Sequence, residues 1–145
     1  MNNKINKLHE RALRVVYKNT NLTFEELLIL DNSVTIHHKN LQKLAVQMYK
    51  IKNNLSLPLI KELFKSHASH YELRDARCWE IPHVRTISYG IETLRYRGPI
   101  TWEMIPISIK ESTTLEVFKS KIKNWIPTKC KCRLCKTFVP NLGYL

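Results

Sequence analysis

SVTIHHKNLQKLAVQMYKIKN (33–53) is the stretch whose reading decides the fold. His37, Leu41, Leu44, Ala45, Met48 and Tyr49, continuing to Leu55, recur at intervals of three and four, the period of a helix with one apolar side. Lys39, Lys43, Lys50 and Lys52 lie largely off that stripe. The preceding Asp31-Asn32-Ser33 reads as a turn, and Ser33 can cap, so the spacing predicts one long helix from there to about Asn53. His37 falls on the stripe and His38 beside it. Neighbouring residues on a helix point in different directions, so the pair reads as partly buried core histidines rather than as metal ligands, which must converge.

Toward the N-terminus, residues 4–17 repeat the pattern, with Ile5, Leu8, Ala12, Val15 and Val16 at helical spacing. Thr23 and Glu26 have the spacing of a capping box, which predicts a second helix to about Leu30. Leu57 to Phe64, with Pro58 early, predicts a fourth. Residues 1–65 therefore read as a helical bundle. From residue 66 to 98 the helical period is lost and Pro82 and Gly90 punctuate the chain, so an extended or ribbon segment packing on the bundle is expected. Gly98-Pro99 opens a short helix to about Met104, and Thr113 or Thr114 caps a last one, Leu115 to Trp125. Residues 99–126 thus hold the C-terminal helices, and 127–145 form a basic, cysteine-bearing tail. The expected class is mainly α, one compact domain plus a tail.

Composition bounds the function. Lys and Arg total 24 against 12 Asp plus Glu, a formal charge of +12. Self-repulsion on that scale is relieved by a polyanion, of which nucleic acid is the commonest for a basic protein. Phosphoryl transfer on metal ions needs converging carboxylates. The two aspartates, Asp31 and Asp75, are far apart, and the 3 glycines make no phosphate-cradling loop. No catalytic residue is assigned, and the expectation is a chain that is not an enzyme and takes no small-molecule substrate. No apolar run approaches the roughly 18 residues of a membrane span, the N-terminus lacks a signal-peptide core, and the 4 cysteines then point to a reducing setting. An intracellular location, cytoplasmic or nuclear, with no membrane partner, is expected.

Two clusters carry candidate chemistry. Lys119, Lys121, Lys123, Lys129, Lys131, Arg133 and Lys136 follow one another without an intervening acid and are the candidate phosphate contacts. The bland alternative is a solvated charged face. Cys130, Cys132 and Cys135 form a C-x-C-x-x-C cluster whose thiolates could share one tetrahedral zinc. A fourth ligand would come from Cys78, His67, His70 or His83, and the alternative is a basic tail with free thiols. Arginines between Arg74 and Arg97 alternate with Tyr71, Trp79 and Tyr89, a mix suited to stacking on unpaired bases, although Trp79, Trp102 and Trp125 read better as core aromatics.

HERALRVVY (9–17), FEELLILDNSVTIHHKNLQKLAVQMYKIKNNL (24–55), YGIETLRYRGPITWEMIP (89–106) and CRLCKTFVPNLGYL (132–145), in that order, resemble the C-terminal end, beyond the thumb, of reverse transcriptases from jockey-like non-LTR retrotransposons. In that family the RNA-directed DNA polymerase body, with its paired aspartates, precedes this region. No aspartate pair exists here to receive those roles. The resemblance therefore implies a catalytically inactive, truncated piece of a mobile-element polymerase lying near RNA template or target DNA. Two further readings stay open: a structural module docking on a polymerase body, and a retrotransposon remnant without selected function.

Overall fold

The computed structural model describes residues 2–18, 21–66, 78–86, 89–90 and 93–127. The fold is mainly α. Among the described residues, regular structure consists of α1 (Asn2–Tyr17), α2 (Phe24–Leu30), α3 (Ile36–Lys52), α4 (Pro58–Glu62), α5 (Leu94–Met104), α6 (Ile107–Lys110) and α7 (Leu115–Lys123). The β structure among them is one isolated antiparallel bridge, Ser66 to Trp79. Residues 78–86 otherwise have no regular structure, residues 94–98 of the expected ribbon belong to α5 instead, and 67–77, 87–88 and 91–92 lie outside the described residues. The chain forms two compact units, one containing residues 1–41 and the other Gln42–Pro127, so the division falls inside α3.

In the first unit, α1 and α2 close a small core of Leu13, Leu27 and Leu28, against which Tyr17, Leu22 and Phe24 pack. Burying such leucines contributes roughly 1.5–3 kcal/mol each. The capping box forms as expected: Glu26 N donates to Thr23 Oγ1 (3.3 Å) and Thr23 N donates to Glu26 Oε2 (2.7 Å). Tyr17 Oη donates to Asp31 Oδ1 (2.9 Å), fixing the end of α1 to the end of α2.

The α1 stripe lies mostly outward. Leu8, Val15 and Val16 are 62%, 76% and 68% exposed, and Ala12 is exposed too. The inward side is instead Asn6 (2%) and Leu13 (5%), with Ile5, His9 and Tyr17 half-buried. Periodicity shows that a helix has an apolar side; it does not say what covers that side. A correction concerns the start of α3. Ser33 N closes the turn after α2 by donating to Leu28 O (2.9 Å), and Thr35 caps instead, its Oγ1 accepting from His38 N at 3.3 Å.

In the second unit, Ala45, Met48 and Tyr49 of the expected α3 stripe are buried and Leu44 is half-buried; Ile51, outside that stripe, is buried too, while Leu55 beyond the helix is 56% exposed. Helix α5 begins four residues before Gly98-Pro99, with Arg97 N donating to Thr93 O (2.9 Å). Glycine and proline are therefore inside it. A Cβ on Gly98 would lie 2.6 Å from Met48 Sδ and 3.1 Å from Phe64 Cε1, so the bare backbone is what lets α5 seat here. Pro99 forfeits one helical hydrogen bond, a cost offset by the burial of Pro99, Thr101 and Trp102. After Pro106 the chain makes a further short helix, α6, where the sequence suggested only a stop.

Candidate nucleic-acid interface

Helix α7 carries the described part of the expected interface. Thr114 Oγ1 accepts from Val117 N (3.3 Å) and Glu116 sits in the first turn, while Lys121 and Lys123 occupy the last, each matching the helix dipole. The buried side is Phe118 (0%) and Ile122 (3%), followed by Trp125 (7%). Phe118 stacks on Tyr49 with ring centroids 4.3 Å apart, and on Trp102 at 6.2 Å. Gln42 Nε2 donates to Lys123 O (3.0 Å) and Trp125 O (2.9 Å), satisfying the carbonyls that a helix end leaves open. Tyr49 Oη donates to Ser112 O (2.7 Å), tying the chain before α7 to α3.

Lys119, Lys121 and Lys123 are all exposed. Alternation every second residue does not keep side chains together on a helix, where each step turns about 100°. Lys119 and Lys123, one turn apart, share a side. Lys121 stands roughly 160° away around the axis, and its Nζ donates to Ser108 O at 3.0 Å. Lys119 and Lys123 make no ion pair among the described residues. Lys129, Lys131, Arg133 and Lys136, like Cys130, Cys132 and Cys135, lie outside the described residues.

Other cations are already engaged. Lys52 and Lys110 place their Nζ atoms 5.4 Å and 5.7 Å from the ring centre of Trp102, which is 1% exposed. Lys110 also lies 3.7 Å from Glu103 Oε2. Cation–π contacts of this kind are worth about 0.5–1 kcal/mol each. They assign both lysines to holding α3, α5 and α6 together. This arrangement had no sequence signal, because Lys52 is distant in the chain from Trp102 and Lys110.

The aromatic residues separate cleanly. Trp79 and Trp125, each 7% exposed, join Trp102 in the core, as the sequence suggested. Trp79 meets Phe64 edge to face at 5.8 Å, so it is unavailable to an unpaired base. Tyr89, by contrast, is 82% exposed. Tyr71 lies outside the described residues, as do His67 and His70.

His37 and His38 are each 4% exposed, with ring centres 5.8 Å apart, in keeping with core residues. Cys78 is half-buried beside Glu103, whose Oε1 accepts from Cys78 N (3.3 Å). Burial pushes its thiol above the ordinary value, against the opposing pull of Lys52 and Lys110. That is the wrong direction for a nucleophile or an eager metal ligand. Among the described residues no three His, Cys, Asp or Glu side chains gather around a common point, and no helix is long and apolar enough to cross a membrane. No family model matches the chain, and no curated protein or solved structure matches it either.

Proposed function

We propose that the chain is a catalytically inactive, nucleic-acid-associated module resembling the C-terminal part of a retrotransposon reverse transcriptase. The exposed pair Lys119 and Lys123 on α7 is the observation that carries this reading, because the run continues into Lys129, Lys131, Arg133 and Lys136 without an acid. A phosphate backbone is the ligand that such a row of uncompensated cations fits, and RNA and DNA share it.

The test is a titration of labelled single- and double-stranded RNA and DNA followed by fluorescence anisotropy. With about six phosphates neutralised, affinity falls roughly a thousandfold from ~50 to ~200 mM salt. Lys119→Glu with Lys123→Glu lowers the logarithmic salt slope by about two. Binding indifferent to salt defeats the reading.

A second reading, a module docking on the polymerase body, is favoured by the uncovered apolar stripe of α1. Zinc held by Cys130, Cys132 and Cys135 is compatible with either. Purified protein then contains close to one equivalent of zinc, and the Cys132→Ser, Cys135→Ser double variant loses it in elemental analysis.

A further inference from the structure

Helix α1 has three sides rather than two. One, centred on Asn6 and Leu13, is buried. A second, roughly 110° around the axis at about 100° per residue, presents Leu8, Ala12, Val15 and Val16, all exposed. The third, on the far side of that stripe from the buried one, carries Lys4, Lys7 and Arg11, also exposed. Arg14 shares this side and holds Glu10 at 2.8 Å. Apolar residues at intervals of four, three and one down a helix are the anchors by which a helix is held in a groove.

We propose that α1 docks through Leu8, Ala12, Val15 and Val16 into an apolar groove on a partner protein, and that the rim of the groove facing Lys4, Lys7 and Arg11 carries carboxylates. This rests on the docking reading and adds the chemistry of the partner. The occupant follows from the one-sided charge. A second copy of the chain laid antiparallel on the stripe sets cationic edge against cationic edge, which is repulsive. A lipid surface favours an apolar face flanked by cations on both sides and anchored by bulky or aromatic residues. Here one flank is cationic, the other turns into the unit's own core, and two of the four anchors are valines with no aromatic beside them. Nucleic acid makes no use of the apolar row. A groove with a single acidic lip answers both features.

Calcium-loaded calmodulin, an acidic protein whose apolar groove opens with calcium, serves as the probe against the full chain. Binding with a Kd on the order of 10 μM or tighter, absent without calcium, is expected. Leu8→Ser with Val15→Ser weakens it at least about tenfold, and Lys7→Glu with Arg11→Glu does the same. All four positions are exposed, so circular dichroism of the variants remains that of the parent. If the serine pair abolishes binding while the glutamate pair leaves it intact, docking stands and the acidic rim falls. Indifference to both pairs, or no binding at about 100 μM, overturns the proposal. So does serine-sensitive self-association in sedimentation, or serine-sensitive binding to phosphatidylserine vesicles.

Discussion

His9 shows how one side chain on the inner face of α1 ties stability to pH. Its ring meets Phe24 edge to face at 5.8 Å, and its buried Nδ1 has no hydrogen-bond partner. Burial, followed by the charge of Lys39, holds it below the ordinary value of 6.5, with Asp31 pulling the other way. The unfolded chain therefore takes up a proton more readily than the folded one. Stability from this group is complete above the ordinary value and declines as pH falls through it toward the lowered folded value. In melting experiments between neutral and mildly acid pH, His9→Gln should lessen the acid-side loss of Tm; an unchanged slope would remove His9 from the account. Asn6 is a related case. Its whole carboxamide is buried without a partner, a cost of roughly 1–3 kcal/mol for an unsatisfied group. Leu13 on the same face was within reach of sequence reading; Asn6 was not, since a polar residue gives no signal for burial.

Among the elements, α5 departs most from its propensities. Eleven residues form a helix around an internal Gly98-Pro99, a pair that ordinarily marks a boundary. Packing against Met48 and Phe64 overrides that preference, and it does so because glycine leaves room. Gly98→Ala should destabilise the fold by up to about 2 kcal/mol, an overpacking cost of roughly 1–3 kcal/mol less the ~1 kcal/mol gained in helix propensity. Urea denaturation decides it, and an alanine variant as stable as the parent would mean that Met48, itself fully buried, can still move aside. Helices α2 and α7 are the opposite case. Thr23-x-x-Glu26 and Thr114 are local signals whose hydrogen bonds form within their own turn, so both starts were legible. The start of α3 was misplaced by a choice between two hydroxyls, Ser33 and Thr35, and the turn that follows α2 made that choice.

At the scale of the whole molecule, the formal charge of +12 makes electrostatics the first expectation for any binding assay. The structure divides its cations by role. Lys52 and Lys110 are spent on Trp102, Lys121 on Ser108, and Lys119 and Lys123 remain outward. Substituting Lys52 should accordingly lower stability more than it lowers nucleic-acid affinity, with the reverse for Lys119; parallel melting and anisotropy series read both, and equal effects would erase the distinction. By itself the sequence determined the helical class, the capped starts of α2 and α7, the buried stripe of α3 and the excess of positive charge, because periodicity, caps and composition are local or additive properties. Which side of α1 faces inward, how Gly98 is accommodated and which lysines are left for a partner were decided only by tertiary structure. Those depend on what each face meets across long stretches of chain, and a hydrophobic period reads the same whether its stripe is covered or bare.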